Sequence, residues 1–229
     1  MLGNYNWCTF AEFEQNAAEL SQGLIPLGLK AKENVAIIAE TRAEWLTTAY
    51  ACYKNNLAVV TIYTNLGNCH LRSILLLMQL FRNSCHTTTL WKYCPPLGND
   101  GIEHALMETE ASCVFCSHET LPKLATVSSK CTQYLKNIVV MSSQLKNSFD
   151  STQVDPSINV RSYESVSKLG AAQILANNVT INQPKANDVA IIMYTSGSTG
   201  KPKGKFLMRC LFVLQDGQDI SLGIFLNIC

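Results

Sequence analysis

Short, unbroken apolar runs recur along this chain, separated by stretches with helical spacing. They are Val35-Ala36-Ile37-Ile38-Ala39, Leu57-Ala58-Val59-Val60-Thr61-Ile62-Tyr63, Cys113-Val114-Phe115-Cys116, Ile138-Val139-Val140-Met141 and Val189-Ala190-Ile191-Ile192-Met193-Tyr194. A strand with one face in water alternates apolar and polar residues, whereas a strand covered by helices on both faces is apolar throughout. Strand, helix, strand with short links is a βαβ unit. The chain is therefore expected to form an α/β fold, mostly parallel sheet with flanking helices.

The intervening segments carry helix-start chemistry. Thr9-Phe10-Ala11-Glu12 is a capping box, in which hydroxyl and carboxylate satisfy amides at a helix start. Phe10, Phe13, Ala17, Leu20 and Leu24 follow at near-helical spacing until Pro26 and Gly28 break it. Thr41-Arg42-Ala43-Glu44 is a second such box, predicting a helix through about residue 53 with Glu44 in the cap. Asp100 has N-cap chemistry, and Ile102, Ala105 and Leu106 supply an apolar face. A weaker helix is expected over 119–132, a loop over 142–160, and one or two helical turns over 163–169.

Composition narrows the classes. Of 229 residues 47% are hydrophobic and 15% charged, below the roughly one quarter usual for soluble domains. This excludes disorder as the overall state. The formal charge of +1 argues against a nucleic-acid partner, since such domains are basic. The start of the chain lacks a basic then apolar secretory pattern, so its ten cysteines are expected to be reduced. Cys113-Val114-Phe115-Cys116 has C-x-x-C spacing but no second pair, and reads as buried thiols on a strand. No transmembrane span is expected: the most apolar stretch, 71–81, is interrupted by Arg72, Ser73 and Gln79 and falls short of about 18 residues.

Residues 68–98 break the rhythm. They contain no Asp or Glu, and they are bracketed by a repeat, Leu66-Gly67-Asn68 and Leu97-Gly98-Asn99. With the stretch removed, the βαβ pattern continues without a long structureless loop. It is expected to be an insertion. Cys69, His70, Cys85, His86 and Cys94 lie within it but match no compact zinc spacing.

One segment carries chemistry: Tyr194-Thr195-Ser196-Gly197-Ser198-Thr199-Gly200-Lys201-Pro202-Lys203-Gly204. It directly follows a buried-looking strand. Its glycines permit tight turns and close approach of amides to a ligand. Clustered amides and hydroxyls cradle phosphate oxygens, and lysines add charge against a polyphosphate. The run would sit at the carboxyl end of a parallel strand, where open α/β sheets place ligands. It fits neither the G-x-x-x-x-G-K-[ST] loop nor the dinucleotide fingerprint. A flexible Gly/Ser linker is the plain alternative for such composition.

This run resembles the phosphate-binding signature of the adenylate-forming (AMP-binding) superfamily. Gly28-Leu29 through Ile37, Glu40-Thr41-Arg42-Ala43-Glu44-Trp45, Val60 to Gly67 and Glu108-Thr109-Glu110-Ala111-Ser112 resemble the early region of long-chain fatty-acid–CoA ligases. The resemblance implies the incomplete amino-terminal part of the adenylate-forming large domain over residues 1–204, interrupted at 68–98. Residues 205–229 would be a divergent apolar tail. It implies activation of a long-chain fatty acid by ATP to an acyl-adenylate, then transfer to coenzyme A, with Mg2+ as the metal. Thr195, Ser196, Gly197, Ser198, Thr199 and Gly200 would wrap the β- and γ-phosphates, with Gly204 closing the run. Lys201 and Lys203 would steady the leaving pyrophosphate.

Glu40, Arg42 and Trp45 look diagnostic of the group but receive no chemical role; Trp45 is expected to pack on the sheet. The family's catalytic lysine, metal-holding acidic residue and adenine contacts find no counterpart here, so no catalytic or metal-binding residue is assigned. Little ligase activity is expected of this chain alone. Relatives imply the cytoplasmic side of the endoplasmic reticulum or mitochondrial outer membrane. Two other readings remain: an adenylating enzyme for a different carboxylate, and a non-catalytic nucleotide-binding fragment.

Overall fold

A computed structural model describes residues 7–63, 99–141, 154–180, 182–195, 203–208 and 226–227. Its strands are β1 (Asn34–Ile38), β2 (Ala58–Thr61), β3 (Cys113–Cys116), β4 (Asn137–Val140), β5 (Asn159–Ser162), β6 (Val189–Thr195), β7 (Lys203–Met208) and β8 (Leu226–Asn227). The helices are α1 (Phe10–Leu24), α2 (Ala43–Lys54), α3 (Asn99–Glu108), α4 (Leu121–Ser128) and α5 (Tyr163–Leu175). The strands form one sheet in the order β5-β4-β3-β1-β2-β6-β7-β8. The first six are parallel, and β7 and β8 each pair antiparallel with the strand before.

Register explains why the apolar runs are continuous. Val160, Ile138, Val114, Ala36, Val60 and Ile192 lie level across six strands. They share one face with Ile102, Ala105 and Leu106 of α3 and Leu121 and Leu124 of α4. The alternate residues Ile37, Phe115 and Val139 face Leu20 and Leu24 of α1, Cys52 of α2 and Val166 of α5. Both faces of the central strands are covered, so apolar side chains dominate both. Phe115 is fully buried and meets Tyr163 edge-on at 6.3 Å between ring centroids. Burying such a side chain contributes about 1.5–3 kcal/mol. Trp45 packs partly buried against this second core, as expected.

The first capping box forms: Glu12 N–H donates to Thr9 Oγ1 at 3.2 Å, and Thr9 N–H donates to Glu12 Oε2 at 2.7 Å. The second does not. Arg42, in extended backbone, occupies the N-cap position of α2 without a side-chain cap bond, which leaves Thr41 one residue out of register. Glu44 instead accepts a two-pronged pair from Arg42, from Nε at 2.9 Å and Nη2 at 2.7 Å. The Arg42 side chain is 5% exposed.

Two further expectations are corrected. The polar segment expected as loop to residue 160 ends in β5, an edge strand with Asn159 and Arg161 exposed on one face and Val160 and Ser162 half-buried on the other. Its polarity is that of an edge, not of a loop. The helical turns expected over 163–169 extend to Leu175. Ser162 caps that helix, accepting from Ser165 N–H at 3.2 Å, and α5 packs closely on α1. A Cβ placed on Gly170 would sit 1.6 Å from Glu19 O, and one on Gly23 2.1 Å from Val166 O. Both glycines are required by this backbone approach, which no local sequence pattern announces. Residues 68–98, with their cysteines and histidines, lie outside the described residues.

Candidate functional site

The site is built from β6, the strand nearest the centre on its side of the sheet after β1 and β2. Val189 to Tyr194 run buried or half-buried into the sheet, and Thr195 closes the strand. The chain returns as β7, which pairs antiparallel with it: Thr195 opposite Lys203, Tyr194 opposite Gly204, Met193 opposite Lys205. The glycine-, hydroxyl- and lysine-rich run therefore spans a strand-to-strand connection at the carboxyl end of a parallel strand. Thr195, Lys203 and Gly204 are placed in backbone at its two roots. Ser196, Gly197, Ser198, Thr199, Gly200 and Lys201 lie outside the described residues. The strand continuing from Lys203 to Met208 extends beyond the point, residue 204, where family-like sequence was expected to stop.

Beneath this root stands a polar contact the sequence did not announce. Tyr194, 3% exposed, donates its phenolic hydrogen to Glu108 Oε2 at 2.6 Å. Glu108 is the last residue of α3, and His104 Nε2 lies 3.8 Å from the same oxygen. Burial first, and donation to Glu108 second, push the Tyr194 phenol up. No local signal marks Glu108 as a partner, because the two residues are 86 positions apart.

The same edge of the sheet holds a second network, between β1 and β3. These strands flank the point where successive strands depart in opposite directions, the usual ligand crevice of an open α/β sheet. Here Ser117 donates to Glu40 Oε1 at 3.0 Å and Thr120 donates to Ile38 O at 2.8 Å. Arg42 and Glu44 stand beside it, and their pairing holds the Glu44 carboxyl below its ordinary range. Ser117 and Thr120 follow a strand directly, and that position was the available sequence signal. A cavity of about 390 Å³ lies at the opposite, amino edge, lined by Lys32, Asn34, Asn56, Asn187 and Asp188 among others. The β6–β7 connection leaves from the other, carboxyl end of the strands.

Among the described residues no group of three or more His, Cys, Asp or Glu could hold a metal ion. Glu108, the carboxylate at the β6 root, is already engaged by Tyr194. The residues described do not make a magnesium site, and no step is assigned to that metal.

Solved structures share this mostly parallel sheet with flanking helices. The adenylation domain of a carboxylate reductase from Mycobacterium chelonae superposes with TM-score 0.62 at 16% identity, over 90% of this chain and 28% of that one. A protein titled a putative long-chain-fatty-acid CoA ligase, from Rhodopseudomonas palustris, gives 0.57 at 15%, over 88% and 38%. A sequence model of the family described as AMP-binding enzyme matches residues 1–79 and 93–207, and the chain belongs to that family.

Among its relatives, the long chain acyl-CoA synthetase 8 of Arabidopsis thaliana is 30% identical over 211 residues, 89% of this chain and 23% of that protein. The long-chain-fatty-acid–CoA ligase 2 of Schizosaccharomyces pombe is 27% identical over 91% and 25%. The chain thus spans about a quarter of the length of these relatives.

Proposed function

We propose that this chain is the amino-terminal part of an ATP-dependent long-chain fatty-acid–CoA ligase and that residues 195–204 form its triphosphate-binding loop. The observation that carries the reading is the root of that loop, Thr195 opposite Lys203 at the carboxyl end of a parallel strand. Backbone amides and hydroxyls of Thr195, Ser196, Gly197, Ser198, Thr199 and Gly200 surround the β- and γ-phosphates. Lys201 and Lys203 neutralise the pyrophosphate as it leaves. In the whole enzyme a fatty carboxylate oxygen attacks the α-phosphorus of ATP and the bond to pyrophosphate breaks. The thiol of coenzyme A then displaces AMP from the acyl-adenylate. The names of the relatives, long chain acyl-CoA synthetase and long-chain-fatty-acid–CoA ligase, favour a long-chain acid over other carboxylates.

The proposed boundaries are a partial domain over 1–204, an insertion at 68–98 and a divergent tail over 205–229. The acid-free composition of 68–98 supports the insertion; the family match leaves out 80–92 of it, takes in 68–79 and 93–98, and runs on to 207. Among the described residues no helix is long and apolar enough to cross a membrane.

Calorimetric titration of ATP tests the loop. The wild-type chain is expected to bind, with Lys201→Ala and Lys203→Ala each weakening binding about tenfold or more, as loss of a charged hydrogen bond does. Equal binding by all three proteins would refute the assignment. Incubation with palmitate, ATP and coenzyme A is expected to yield no palmitoyl-CoA.

A further inference from the structure

We propose that the cavity of about 390 Å³ at the amino edge of the sheet binds a zwitterionic amino acid with an aliphatic side chain. The site lies away from residues 195–204 and does not depend on their assignment.

The cavity falls at the lower end of the usual small-molecule range of about 300–1,000 Å³. Its lining carries both signs of charge. Lys32 Nζ stands 3.0 Å from Asp188 Oδ1, so the pair sums to zero. A purely anionic ligand is repelled by the aspartate and a purely cationic one by the lysine, and each loses on one what it gains on the other. A ligand carrying both charges engages both. The Lys32 ammonium has three N–H donors, and its side chain is 67% exposed, so donors remain for a ligand carboxylate. Asp188 accepts from Lys32, from Asn56 Nδ2 and from Lys185 N–H. A carboxylate has about four acceptor positions, which leaves one for a ligand ammonium.

Asn56 lacks a donor. It lines the cavity and is 6% exposed. Its amide nitrogen is spent on Asp188 at 2.9 Å, and its amide oxygen is buried with no hydrogen-bond partner among the described residues. An unmet buried acceptor is costly, and a ligand N–H that reaches it removes the cost. An ammonium, with three N–H groups, serves this oxygen and Asp188 together. Lys32 and Asn56 both hold left-handed backbone, at φ 73° and 55°, a conformation that recurs at ligand clamps. Ala58 and Val189 supply the apolar part of the lining, which suits an aliphatic side chain.

The test is calorimetric titration of the 229-residue chain with L-leucine, with isocaproate, which lacks the ammonium, and with isoamylamine, which lacks the carboxylate. L-leucine is expected to bind, and each half-molecule at least about tenfold more weakly. Lys32→Gln should weaken L-leucine about tenfold by removing the cation, and Ala58→Leu should abolish binding by filling the cavity. Lys130→Gln, which breaks the ion pair with Glu103, should bind like wild type. A melting temperature on each variant separates loss of the site from loss of the fold. Lys32→Gln, a change to an exposed side chain, keeps the test decisive if Ala58→Leu unfolds. Absence of L-leucine binding by the wild-type chain, equal binding of either half-molecule, wild-type affinity in Lys32→Gln, or equal weakening by Lys130→Gln overturns the inference. ATP titration of the same chain reads the loop assignment separately, so the two fail independently.

Discussion

Lys32 Nζ stands 3.0 Å from Asp188 Oδ1 at the amino edge of the sheet, joining the turn before β1 to the turn before β6. Asn56 Nδ2 donates to the other carboxylate oxygen at 2.9 Å and Lys185 N–H donates to it at 2.8 Å. Three segments distant in sequence thus converge on one carboxylate, and Lys32 and Asn56 take up positive φ to do so.

That carboxylate makes stability depend on acid. The Lys185 amide first, then Lys32 and Asn56, hold the Asp188 carboxyl at about 2, below its ordinary 3.8. A carboxyl lowered in the folded state stabilises the fold above its unfolded value and loses that contribution as pH falls through the folded value. The melting-temperature gap between wild type and Asp188→Asn is expected to be flat from about pH 7 to 5 and to shrink from about pH 4 to 2. A gap independent of pH down to about 2 would show that the ion pair contributes nothing.

The α1–α5 contact should tolerate no side chain at its crossing. Gly170→Ala would bring its Cβ to 1.6 Å from a backbone oxygen, which cannot be relieved by rotating a side chain. Overpacking of this kind costs about 1–3 kcal/mol or more. Denaturant titration of Gly170→Ala should show at least that loss, and Gly23→Ala a similar one. Unchanged midpoints would mean that the helices do not approach as described.

Thiol labelling should divide the cysteines by burial. Cys113 and Cys116 are fully buried on β3, and burial pushes both thiols up, so little thiolate exists near neutral pH. Cys8 is exposed. Brief treatment with iodoacetamide at pH 8, read by peptide mass spectrometry, should modify Cys8 and spare Cys113 and Cys116 until denaturant is added. Rapid labelling of the β3 pair would restore the redox or metal reading of its C-x-x-C spacing.

Deleting residues 68–98 should leave the domain folded. β2 ends at Thr61 and α3 begins at Asn99, and the residues that remain between them make a link of ordinary length for a strand-to-helix connection. The deletion variant is expected to keep its helical signal and to melt no lower than the parent chain. A drop of about 5 °C or more, roughly 1 kcal/mol in a small domain, would mean that the stretch packs on the sheet.

Sequence by itself determined the class of fold. Continuous apolar runs such as Val35–Ile38, too short for a helix and set between helical stretches, fit strands covered on both faces, and the structure has them as such. These are local consequences of backbone geometry and solvation, and they are legible one segment at a time. Trp45 on the sheet and the Thr9–Glu12 cap belong to the same level.

Only tertiary structure decided the rest. It placed Asn159–Ser162 at the sheet edge, where a polar strand is stable because half of it faces water. It brought Glu108 beneath Tyr194, and Glu40 beside Ser117, across separations of 86 and 77 residues. Such pairings depend on which strands become neighbours, a property of the whole sheet that no single segment encodes.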